Sequence, residues 1–405
     1  MPDVIVPVTR VQQENDEAFC GPATAEMVLA ALNVPKPNVP PTWQEQLWTY
    51  ITQNTGSTRP KNAPHDPYEF PQQKCEWCDG WECWGTTPGV LATLLNTSQA
   101  VGQYAISLHT TEESATGALL DTIDRQLPGV ALVYGWNHWL VVDGYKHGGK
   151  NPTPVAGRLL KGVYIRNPAP GKGTHYVSWA TWEADYMLHL ECGAYHGKII
   201  VLSGARPGTP ILPPTTHVPP LVVTPSLDTR DPWTLPMKTL LTPNAAMSHA
   251  AEQLDELMSP RLERAMKSAR AQSAQLVQRL DHPDRYYYIV TFAVGSRDTA
   301  RVIVDGFEGT VDEIEGVEDD GDSLQRYLAG PVTVERLLAQ TRQSPDILRY
   351  RVRQGTVGEH PVLVWKPCVQ SRSPFLPFYQ LSVGDSFVYY RVDGEQFDAL
   401  TTRPA

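Results

Sequence analysis

The stretch PGTPILPPTTHVPPLVVTP, residues 207–225, carries seven prolines in nineteen positions. Proline fixes φ and removes a backbone donor, so the segment predicts an extended, polyproline-like connector and excludes a helix. It lies near the middle of 405 residues, and a single hydrophobic core rarely serves more than roughly 250–300. Two domains are therefore expected, residues 1–206 and 244–405, joined by a proline-rich linker over 207–243.

Both halves read as α+β. In the first, helical signals come early: residues 22–32, WQEQLWTYI, VLATLLN behind a Thr87-Pro88 start, and EESATGALLDTIDRQ with Leu119, Leu120 and Ile123 on one face. Short β-rich runs follow (GVALVYG, HWLVVDGY, GVYIRN and GKIIVLSG), so helices first and an antiparallel sheet afterwards are expected. The second half opens with an expected helix pair broken at Ser259-Pro260, the later helix carrying Leu262, Met266, Ala269 and Leu280. Strands are expected at YYYIVTFAV, ARVIVDGF and HPVLVWKPC, and a hairpin joins FYQLSV to FVYYRVDG across Gly384-Asp385.

Charge narrows the partners. Up to residue 210 there are 14 basic and 19 acidic residues, and beyond it 20 and 25. Neither half is basic enough for a nucleic-acid partner. The opening MPDVIVPVTR lacks the basic and apolar regions of a signal peptide, and no apolar run approaches a membrane span. A soluble chain is expected, cytoplasmic or exported without such a signal.

The chemistry starts at DEAFCGPATAEMVLAAL, where Cys20 precedes Gly21-Pro22 and an apolar helical run. A thiol is a useful nucleophile only as thiolate, and the unpaired N–H groups of a helix N-terminus favour an anion. Pro22 suits the first turn, and Gly21 leaves the approach to sulfur open. A buried structural cysteine is the competing reading. A nucleophilic thiol also needs a base. In GWNHWLVVDGY, His138 begins a strand after a turn, whereas His65, His147 and His217 lie in loops and His109 in a turn before a helix. The imidazole needs an orienting acceptor, and GVYIRNPAP ends its strand in Asn167 before Pro168. An oxyanion needs a donor besides the Cys20 N–H, and of Gln12, Gln13 and Asn15 upstream we select Gln13.

Taken in order, Gln13, CGPATAEMVL, TTPGVLATLLN, PGVALVYGWNHWLVVDGY and YIRNPAP resemble the papain-like cysteine peptidases over about residues 8–203. The branch most similar is the double-glycine-leader peptidase domains of bacteriocin exporters. The resemblance implies a helices-then-sheet fold, a protein or peptide substrate, no cofactor, and a catalytic set of Cys20, His138, Asn167 and Gln13. Two features depart from the family pattern. Its Gln stands six residues before the Cys, where this chain has Glu14, and its His-to-Asp interval is shorter than the one from His138 to Asn167. The expected reaction is hydrolysis of a peptide or isopeptide bond through an acyl-enzyme. An acyltransferase or glutamine deamidase with the same triad, and a catalytically idle binding module, are the alternatives.

Cys75, Cys78 and Cys83, interleaved with Trp77, Trp81 and Trp84, lack the second pair of a zinc site, so no metal is expected and a disulfide or free thiols are. Residues 305–322 hold nine acids and no bases without calcium-loop spacing, which predicts a solvated loop. Cys368 is expected to be a packed thiol, and the second domain, which carries no catalytic set, an accessory module.

Overall fold

The computed structural model describes residues 3–14, 19–38, 40–54, 86–97, 103–135, 138–148, 152–169, 174–190, 195–205, 239–257, 266, 268–295, 297–316, 362–368, 370–371, 373–383, 386–392 and 395–400. The Cys75/Cys78/Cys83 cluster with its tryptophans, the proline run, Ser259-Pro260 and Leu262 lie outside them, as do His65, Cys192 and His217.

The first half runs β1 (Val4–Ile5), α1 (Cys20–Ala31), α2 (Trp43–Asn54), α3 (Pro88–Thr97), β2 (Gln103–His109), α4 (Glu112–Asp124), β3 (Gly129–Val133), β4 (His138–His147), β5 (Thr153–Val155), β6 (Arg158–Arg166), β7 (Thr174–Ser178), α5 (Trp179–Thr181) and β8 (Ile199–Ala205), with a π-helical turn, Trp182–Tyr186, after α5. The second runs α6 (Pro243–Leu257), β9 (Arg270–Arg279), β10 (Tyr286–Val294), β11 (Arg297–Asp305), β12 (Val311–Gly316), β13 (Val362–Trp365), β14 (Phe378–Val383), β15 (Ser386–Arg391) and β16 (Gln396–Phe397). The chain is thus a mixture of helices with one large sheet, which is not a closed barrel.

Local chemistry accounts for the helix starts. Thr111 caps α4 by accepting the Ser114 N–H at 3.2 Å, with Glu112 and Glu113 against the positive end of the dipole. Pro88 opens α3, where its missing N–H removes nothing. Helix α1 is buried at every residue from Gly21 to Leu29, and its one charged side chain, Glu26, is paired with Lys36 at 2.7 Å. Strand β4 is likewise buried from His138 through Tyr145 and covered on both faces, its apolar residues interrupted by Asp143.

Three expectations are corrected. The segment expected as a second helix ending at Leu280 is strand β9, with Tyr288 opposite Leu276 and Ile289 opposite Gln275 on β10. Its apolar residues suit either period, and pairing with β10 decides the outcome. His109 ends strand β2 instead of occupying a turn. Within the acidic run, residues 311–316 form a strand, not a solvated loop, with Glu313 and Glu315 fully buried.

The sheet crosses the expected domain boundary without interruption. Its order is β16-β15-β14-β13-β9-β10-β11-β12-β7-β6-β4-β3-β8-β2, and β7 joins β12 antiparallel, Tyr176 opposite Ile314 and His175 opposite Glu315. Side chains follow the pairing. Tyr164 and Tyr176 of the first half pack with Ala246, Ala250 and Leu254 of α6 on one face. On the other, Ile289, Ile303, Trp365, Phe375 and Phe378 form a separate core. The main core of the first half is built on α1–α4 and β3, β4 and β8, and Cys20 packs against it.

Candidate active site

Cys20 is the first residue of α1, a partly exposed cysteine outside any disulfide. The helix has no side-chain cap on its N-terminus and no acid in its first turn. Its first N–H groups therefore point toward the end where the sulfur sits, an anion-friendly setting. Phe19, just before it, packs on Trp48 of α2 with ring centroids 5.2 Å apart and fixes the entry to the helix.

His138 and Asn167 meet as expected. Strand β6 lies beside β4, so the end of one comes level with the start of the other. His138 Nε2 lies 2.8 Å from Asn167 Oδ1, and Asn167 is fully buried. The same Oδ1 accepts the Ala169 backbone N–H at 2.9 Å. A backbone amide only donates, so the oxygen of the Asn167 amide must face both partners, and His138 must carry its proton on Nε2. In the neutral ring Nδ1 is then the lone-pair nitrogen, the tautomer a general base requires.

The turn after β6 is clamped by the N-terminal segment. Arg10 donates from Nε to the Asn167 carbonyl at 2.9 Å and from Nη2 to the Ala169 carbonyl at 2.7 Å. One residue before Asn167, Arg166 is bound to the buried Asp143 by a contact of 2.5 Å. The Gln13 N–H donates to the Pro168 carbonyl at 2.8 Å. Gln12 is exposed and the Gln13 side chain is buried. Asn15 lies outside the described residues. Gln44 of α2 fixes this register by donating to the Gln12 carbonyl at 2.8 Å and accepting the Glu14 N–H at 3.0 Å.

Gly21 is required for a further reason that the sequence did not suggest. A Cβ there would stand 2.0 Å from Thr86 Oγ1 and 2.5 Å from Thr86 Cβ, so glycine is needed for the approach of the chain before α3. Thr86 in turn accepts the Trp139 indole N–H at its carbonyl, 2.8 Å away. Trp139 follows His138 and Gly21 follows Cys20, so this contact ties the strand bearing the imidazole to the helix bearing the thiol. Arg10, Gln44, Thr86 and Trp139 were not apparent as site residues in the sequence. Their signal is polar or aromatic character in otherwise apolar contexts, which many structural residues share.

Comparison of the chain with protein-family models, with curated proteins and with solved structures finds no match. Among the described residues no group of three or more His, Cys, Asp or Glu is placed to hold a metal ion. Cys368 is buried in the core formed with Trp365 and Phe375, and burial pushes its thiol up to about 11.

Proposed function

We propose that this chain is a papain-like cysteine hydrolase acting on a peptide or isopeptide bond. Cys20 gives its proton to His138 Nδ1 and attacks the carbonyl carbon, forming a tetrahedral oxyanion. The Cys20 backbone N–H and the Gln13 side-chain amide donate to that oxygen. His138 then passes its proton to the leaving nitrogen, the C–N bond breaks, and a thioester remains. Water, deprotonated by the same imidazole, attacks the thioester, and the thiol leaves with the proton returned.

The observation that carries this reading is the double acceptance at Asn167 Oδ1, from His138 Nε2 at 2.8 Å and Ala169 N at 2.9 Å. A histidine serving only as a packed polar residue needs no partner whose orientation dictates its tautomer. Burial of Asn167 strengthens the pairing because water does not compete for the oxygen.

The test is labelling by a vinyl-sulfone or epoxide thiol probe, with peptide mapping of the modified cysteine. Labelling at Cys20 that disappears in Cys20→Ala and drops sharply in His138→Ala is expected. Mass spectrometry of candidate peptide substrates then shows hydrolysis. A Cys20 that reacts no faster than a free thiol in peptide, with or without His138, would exclude the mechanism; amine addition in place of hydrolysis would reassign the acceptor.

A further inference from the structure

We propose that Glu313, in the second half of the chain, is a positioning residue for His138 and that the second half serves to complete the active site of the first. This rests on the cysteine hydrolase reading above. The route begins at the turn between β3 and β4, which delivers His138 opposite Val133. Tyr134, the first residue of that turn, has φ +57°. A bulky residue in the left-handed region is strained and persists only where its surroundings impose it.

What imposes it is Tyr186. The Tyr134 N–H donates to the Tyr186 carbonyl at 2.9 Å. The two rings pack with centroids 4.8 Å apart, and Tyr186 stacks on Trp182 at 5.5 Å. Tyr186 itself is the last residue of the π-helical turn 182–186. Its hydroxyl donates to Glu313 Oε2 at 2.9 Å, and the same oxygen lies 2.7 Å from Nε2 of His175. All three side chains are fully buried. Glu313 therefore anchors the ring that holds Tyr134, four residues before His138.

Glu313 is brought there by the β7–β12 pairing, and a second tie holds the same turn. Arg279 of β9 grips Asp185 with two bonds of 2.8 Å, and Asp185 neighbours Tyr186. An acid fully buried at the seam between two halves is costly unless its oxygens are used. Its use here is to fix a turn that the first half alone leaves strained. The neighbouring Glu315 has a separate partner, Arg301 at 3.4 Å, and takes no part in this route.

The experiment is the rate of Cys20 alkylation by iodoacetamide in the full chain across about pH 5 to 9, the acid limb of which reports the thiol's pairing with His138. His138→Ala sets the baseline. Glu313→Ala and Tyr186→Phe, the latter keeping the ring and removing only the hydroxyl, are compared with it after cooperative thermal unfolding is verified. The acid limb is expected to fall by roughly ten- to hundredfold in both, as for a slight misplacement of a catalytic group. Glu313→Gln, which keeps an acceptor for Tyr186, is expected to recover most of the rate. A folded Tyr186→Phe with a wild-type acid limb would overturn the positioning role alone. Absence of a His138-dependent limb in the unmodified protein would instead overturn the hydrolase reading, and the positioning role with it.

Discussion

Replacing Gly21 by alanine puts the coupling between thiol and imidazole to a direct test. The new Cβ would lie 2.0 Å from Thr86 Oγ1 and 2.5 Å from Thr86 Cβ, whereas carbon contacts settle at about 3.5 Å. The two segments must part by roughly 1 Å. Thr86 is buried and its carbonyl holds Trp139, so relief by rotating a flexible tip is not available. Overpacking of this kind costs on the order of 1–3 kcal/mol. The larger effect falls on chemistry, because Cys20 and His138 flank the strained contact, and an error of about 1 Å in placement can cost about 10²-fold. Stopped-flow labelling of Cys20 alongside thermal unfolding measures both. Gly21→Ala should unfold several degrees lower and label about 10²-fold more slowly. Adding Thr86→Gly should restore much of the rate by making room, a non-additive pair by double-mutant cycle. If Gly21→Ala labels as fast as the parent at an unchanged melting temperature, the contact through Thr86 is not what aligns helix and strand.

Other outcomes follow from single contacts. Asn167→Ala leaves the His138 Nε2 and Ala169 N–H donors without their acceptor, so labelling should fall roughly ten- to hundredfold, while Asn167→Asp, which accepts from both, should stay close to the parent. Arg279→Ala removes both bonds to the largely buried Asp185 and strands a carboxylate, so chemical denaturation should show a loss of about 3 kcal/mol, with no loss in Asp281→Ala beyond that of a partly exposed pair. Cys368, raised from about 9 to about 11 by burial, stays a neutral thiol when folded. Its contribution to stability is complete below about pH 9 and is lost as pH rises toward 11, where only the unfolded chain ionises freely, amounting to about 2 kcal/mol. Denaturation midpoints measured from pH 8 to 11 should therefore decline, and Cys368→Ser should flatten that part of the curve.

Periodicity and punctuation carried most of the first half. Pro88 and Thr111 mark helix starts, and Leu119, Leu120 and Ile123 lie on the buried face that their spacing predicts. The run FYQLSV coincides with β14, and YYYIVTFAV with β10. His138 and Asn167 were legible because a strand start and a strand end in neighbouring strands must come together. Where reading failed, distant pairing was the cause. In VDEIEG, Val311 and Ile314 stand three apart and break the two-residue period of a strand, and nothing nearby announces that His175, Tyr186 and Arg301 partner the buried glutamates. The stretch RAQSAQLVQR satisfies a helical and a strand period at once, and only the partner strand β10 resolves it. Gly21 was legible as important and illegible in its reason, since the side chain it accommodates lies 65 residues away in a segment with no periodic signal.

The β7–β12 pairing also sets a clock on biosynthesis. His175 and Glu313 are 138 positions apart in the chain. At about 5–20 residues per second, the ribosome needs roughly 7–30 s to deliver the second after the first. During that interval β7 has an open flank of unpaired amides and carbonyls, a template for any passing strand to extend. Nascent chains stalled before residue 311 should consequently depend on chaperone cover in a way that released, full-length chains do not.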